Sequence, residues 1–128
     1  MNVYYPTKDD IVKWAYGSDK SWPASDWDYY VLDPAHDDLI FDLANEPNCP
    51  NRRFFVHALY YLVGSAFNKK SPPADTIARI QRLLSRVDVA SLPDVVTWRG
   101  RAEQLLKAEI PFDVEMWLHY LFNEETPG

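Results

Sequence analysis

The densest group of side chains able to do chemistry is Asp33-Pro34-Ala35-His36-Asp37-Asp38. A histidine beside carboxylates can ligate a divalent cation, but such an ion requires several fixed ligands. Acids in the first turn of a helix have a simpler use, complementing the positive end of the helix dipole. That is the expected role of Asp37 and Asp38. His57 and His119 fall on apolar stretches. They form either an acid–base couple or, as expected here, packed histidines bonded near Tyr60, Tyr61 and Tyr120. Cys49, the single cysteine, sits in the turn Pro47-Asn48-Cys49-Pro50. A nucleophilic thiolate needs a base and an electropositive setting, and a turn after a helix end supplies no clear one. None of the four glycines stands in a phosphate-cradling loop. No catalytic set converges, so no enzyme, metal or cofactor is expected.

A binding pattern is more prominent. In a helix starting at Pro34, steps of about 100° per residue place Leu39, Ile40, Leu43 and Ala44 on one inward face. Phe41 falls on the opposite arc, with Asp37, Asp38, Asp42 and Asn45 around it. An aromatic ring rimmed by carboxylates reads as an interface anchor with charges that steer a partner. The competing expectation is that residues 1–32, which hold Trp14, Trp22 and Trp27, fold over this helix and bury Phe41. Asp26, Trp27 and Asp28 make a second aromatic–carboxylate set for the same partner. The stripe Arg79, Arg82, Arg86 suits phosphate or an acidic partner; its expected role is instead either to meet solvent or to pair with acids from residues 1–50.

Charge separates the chain into two parts. Residues 1–50 carry ten carboxylates against three lysines, while the remainder carries nine acids and ten bases, giving the formal −6. That balance disfavours nucleic acid and anionic membranes, where phosphate attraction dominates binding, and favours a basic protein partner. With 128 residues, 47% of them apolar and 15% aromatic, one domain with a sizeable core is expected. No apolar run approaches the roughly 18 residues of a membrane span, and the N-terminus opens on polar residues rather than a signal peptide. A lone cysteine fits a reducing cytoplasm.

The elements that must position these residues read as helices separated by prolines. Thr7 and Asp10 form a capping box ahead of Ile11, Val12, Trp14 and Ala15, with a stop at Gly17. Ser25 and Asp28 suggest a second box, although residues 26–32 suit a short strand equally well. Asp33-Pro34 starts a helix running to about Glu46. Residues 51–67 are apolar around nearly the whole wheel and belong at the centre. Residues 75–87 are amphipathic, with Ile77, Ile80, Leu83, Leu84 and Val87 inward. Ser91 and Asp94 cap a helix to about Glu109, and Asp113 caps residues 114–122. His57 and Gly64 share a face, which predicts a close helix approach there. The expected fold is all-α, a single-domain bundle of about six helices, with residues 1–32 packed on a helical core of 33–123.

Leu43-Ala44, Pro50 and Phe55–Leu59 are echoed by Leu105-Leu106, Pro111 and Trp117–Leu121, which suggests helical pairs of the HEAT kind. The His36-Asp37 dipeptide resembles the HD-type metal phosphohydrolases, but no further histidine precedes it as that family requires. In size, acidity and aromatic content, and not in any motif, the chain resembles bacterial immunity proteins. That resemblance implies a non-catalytic protein that covers a toxin's basic active site; a monomer or weak homodimer is expected. A HEAT-like adaptor and a small hydrolase using His36 and Asp37 are the alternatives.

Overall fold

Thr7 starts the first helix as expected. In the computed structural model, which describes the backbone of residues 1–123 and the side chains of residues 1–121, its hydroxyl accepts from the Asp10 amide at 3.1 Å. The Asp10 carboxylate in turn accepts from the Thr7 amide at 3.0 Å. Helix α1 runs Lys8–Ala15. Among the described residues the remaining elements are α2 (Trp27–Tyr30), a 3-10 turn (Pro34–His36), α3 (Asp37–Ala44), α4 (Arg52–Phe67), α5 (Ala74–Leu84), α6 (Pro93–Leu106) and α7 (Val114–Asn123). The fold is all-α. Residues 27–30 are a single helical turn and not a strand.

Several ends differ from the sequence expectation, each for a visible reason. The Ser25–Asp28 box does not form, because Asp28 turns into the protein and bonds His57. The segment after Asp33 begins as a 3-10 turn, with the Asp33 carboxylate accepting from the Ala35 amide at 2.9 Å. Helix α5 stops at Leu84, and Val87 is 87% exposed rather than inward. There Arg99 of α6 donates to the carbonyls of Leu84 and Arg86 at 2.6 and 2.9 Å, which satisfies helix-end acceptors that a longer helix would have used itself. Helix α6 begins at Pro93 without a side-chain cap, since Asp94 pairs with Arg52 instead. It ends at Leu106, two residues before Ala108, whose φ of 54° is left-handed. Asp113 caps α7, accepting from the amides of Glu115 and Met116.

Helix α4 is the axis of the bundle. At about 1.5 Å per residue its 16 residues span roughly 24 Å, and it packs against α2, α3, α5, α6 and α7. Phe55, Ala58, Leu59 and Val63 are fully or almost fully buried on it. One hydrophobic cluster runs from Ile11 through Trp27, Ile40 and Leu59 to Trp98 and Trp117. The N-terminal segment joins it through aromatic edges: Trp14 meets Trp27 at 5.0 Å and Phe54 at 4.9 Å. Asn51 ties the same segment to the start of α4, its amide donating to the carbonyls of Trp14 and Asp19.

Gly64 marks the close approach that its spacing from His57 predicts. A Cβ there would sit 2.5 Å from Cδ1 of Trp117, so α7 can rest on α4 only because the position is glycine. The HEAT-like echo is not reproduced as equivalent pairs. Helices α3 and α4 make an extensive contact, whereas α7 docks mainly on α4 and meets its sequence neighbour α6 through Arg101, which lies over the Tyr120 ring. In a solenoid each unit would touch only its neighbours; here one apolar helix packs against α2, α3, α5, α6 and α7.

Candidate functional site

The acidic face of α3 is not an open rim. Arg79 and Arg82 project from one side of α5 at i and i+3, and Arg86 follows just past the end of that helix at Leu84; all three reach carboxylates of α3. Arg79 grips Asp37 with two bonds of 2.8 and 2.9 Å and also donates to the Leu32 carbonyl. Arg82 bonds Asp38 at 2.9 Å, and Arg86 reaches Asp38 and Asp42 at 2.8 and 2.9 Å, and Asp88 as well. The Arg82 guanidinium, and then that of Arg86, holds the Asp38 carboxyl below the usual aspartate range. The arginine stripe therefore takes the second of its two expected roles and pairs with the acidic half.

Phe41 corrects the sequence expectation outright. It is fully buried, and part of its cover is Arg86, just past the end of α5, whose guanidinium carbon lies 5.2 Å from the Phe41 ring centroid. Helix α3 is wedged between α4 and α5, so only a narrow arc holding Asp38 and Asp42 stays exposed. Asn45 is buried too, donating to the Phe41 carbonyl and accepting from the Leu92 amide. Asp37 is buried against Arg79. Of the five residues read as a contact surface on α3, two reach solvent.

The second set divides in the same way. Asp26 is exposed, whereas Trp27 and Asp28 are buried. Asp28 accepts from His57 Nε2 at 3.1 Å, and His57 Nδ1 faces the Leu121 carbonyl at 3.3 Å. The ring thus joins α2, α4 and α7, with Trp22 against its edge at 5.2 Å. His119 does not share this fate; it is exposed on α7, contrary to the packed position expected of it. His36 Nδ1 faces the Val31 carbonyl at 3.3 Å while Asp37 is held by Arg79, so the dipeptide's two side chains turn to different partners. Among the described residues no three His, Cys, Asp or Glu side chains gather as metal ligands would. Cys49 is buried, its thiol facing the Ala15 carbonyl, and burial pushes its pKa up.

The surface that sequence reasoning missed is built of tyrosine. Three Tyr-Tyr pairs stand in the chain: Tyr4-Tyr5, Tyr29-Tyr30 and Tyr60-Tyr61. Consecutive residues on a helix point about 100° apart, so Tyr60 and Tyr61 face different surroundings. Tyr60 is buried, with Arg101 donating to its hydroxyl at 2.8 Å. Tyr61 turns the other way and meets Tyr29, Tyr30, Tyr4 and Tyr5 around a groove of about 700 Å³ bordered by Asp33. No protein family, curated relative or solved structure matches this chain. The groove must be interpreted from its own chemistry. Exposed tyrosines suit protein recognition, since they offer a large rigid surface and a hydrogen-bonding tip at small entropic cost. No helix among the described residues is long and apolar enough to cross a membrane.

Proposed function

We propose that the chain is a non-catalytic binding protein for a basic protein partner, an immunity or inhibitor protein that neutralises a bacterial toxin in the cytoplasm by covering its basic active site. One observation carries this reading: Tyr5, Tyr4 and Tyr29 are 80%, 59% and 60% exposed around one groove, on the half of the chain that carries ten carboxylates against three lysines. Interface hot spots are enriched in tyrosine at the centre, and surrounding carboxylates raise the rate of encounter with a basic partner. The α3 carboxylates support the reading less, because their charge is spent on arginines within the chain.

The test is the gene next to this one. Its product, expressed alone, should arrest growth, and co-expression of this chain should restore growth while the two proteins co-purify as a stable complex. Association should slow as salt rises, since attraction between opposite charges is screened over about 10 Å at 0.1 M salt. A neighbour that is harmless and does not bind would remove the inhibitor reading and put the adaptor reading ahead.

A further inference from the structure

The tyrosine groove lies between the N-terminal segment, α2, α4 and α5, and its size falls within the range of ligand sites. Tyr4 and Tyr30 meet edge to face at 5.1 Å, Tyr29 and Tyr30 at 5.7 Å, and Tyr29 and Tyr61 at 6.4 Å. Edge-to-face contacts leave ring faces turned in several directions, and each face carries the negative side of the ring quadrupole. Asp33 borders the groove, and exposed Asp26 stands one residue before α2. Arg79 also lines it, but its guanidinium is already held by both oxygens of Asp37 and by the Leu32 carbonyl. Burial, and then the carboxylates of Asp28 and Asp26, hold the Tyr61 phenol above its ordinary range, so it stays a neutral donor. Neutral phenols, ring faces and outer carboxylates together favour a cation.

Building on the proposed capture of a basic partner, we propose that this groove receives an arginine side chain of that partner, its guanidinium lying on the tyrosine faces with Asp33 at the rim and the charge of Asp26 acting from the start of α2. Arginine fits better than lysine for two reasons. Its planar guanidinium stacks on aromatic rings and is more weakly hydrated than an ammonium, and its fork of donors can reach carboxylates while stacked. The residues that form the site also belong to four separate segments, so a bound arginine would hold the N-terminal tyrosines against α4.

The probe is the peptide acetyl-Gly-Arg-Arg-Gly-amide, titrated into the isotope-labelled full chain and followed by NMR. Saturable shifts should centre on Tyr4, Tyr29, Tyr30 and Tyr61. The lysine counterpart should bind more weakly and the neutral citrulline counterpart should not saturate. Tyr29→Phe should keep the affinity, whereas Tyr29→Ala should lose about fivefold, the scale of one cation–π contact. Asp26→Asn and Asp33→Asn should each weaken binding about twofold. Tyr5→Ala, at a position 80% exposed, repeats the test should Tyr29→Ala lower the melting temperature. Equal binding of arginine and citrulline peptides, shifts spread along Asp38 and Asp42 instead, or unchanged affinity in both alanine variants would overturn the proposal. The two readings fail separately. A neighbouring toxin that binds both alanine variants fully leaves the inhibitor standing without this groove. A peptide held in the groove with no binding neighbour leaves the groove without the inhibitor.

Discussion

Trp117 occupies the space that a side chain at Gly64 would need: its Cδ1 would lie 2.5 Å, and its Nε1 2.7 Å, from a Cβ at that position. The indole is also fixed, donating to the Tyr60 carbonyl at 2.8 Å. The ring cannot step aside without giving up that bond, in a site only 4% exposed.

Gly64→Ala should therefore destabilise the protein even though alanine is the better helix former. Overpacking a well-filled site costs about 1–3 kcal/mol, more than the roughly 1 kcal/mol that helix propensity returns. Urea titration would show the midpoint fall. In a Trp117→Leu background the same change should cost much less, because the clashing ring is gone. Equal costs in the two backgrounds would mean that the contact is not the cause.

Phe41→Ala distinguishes a core residue from an interface anchor. Burial beneath Arg86 and between α4 and α5 predicts a loss of about 3–5 kcal/mol, the usual cost of a large-to-small change in a core. Thermal or chemical unfolding would read it directly. A variant of full stability would return Phe41 to the surface.

Acid should loosen the α3–α5 contact. The Asp38 carboxyl is lowered from an ordinary value of 3.8 by Arg82 and Arg86, and Asp88 likewise by Arg86. A carboxylate with a lowered folded pKa contributes stability that is present above its unfolded value and is lost as pH falls through the folded one. The melting temperature should thus drop below about pH 4. Asp38→Asn should flatten that drop modestly, since exposed pairs contribute little. A pH dependence identical to that of the parent would exclude Asp38 from the effect.

His57 and His119 should behave differently. His57 bonds Asp28 and faces the Leu121 carbonyl. Its replacement by alanine leaves a buried carboxylate without this partner and should cost about 1–3 kcal/mol. His119 is exposed, and His119→Ala should cost less than half as much. Comparing the two unfolding midpoints decides it.

Much of the fold was legible in the chain because it depends on local chemistry. The Thr7–Asp10 box, the Asp33 and Asp113 caps and the proline-bounded helices rest on residues a few positions apart, whose hydrogen bonds need no distant partner. The central place of α4 followed from apolar residues on nearly every face, and the close approach at Gly64 from a missing side chain.

Where a side chain's partner comes from another helix, the sequence alone could not choose. Asp94 reads as a helix cap until Arg52 arrives from α4. Phe41 reads as outward because one helical wheel shows which residues share a face, not how many faces are covered. A helix wedged between two neighbours buries both sides, and α5 with the residues just after it supplied the second cover, including the arginines that neutralise Asp37, Asp38 and Asp42. The acidic half and its tyrosine pairs are properties of composition, visible in the chain. That five tyrosines from three segments should share one groove, while the carboxylates of α3 should not face a partner freely, was decided by packing, because only the tertiary structure sets which surfaces remain once the core is filled.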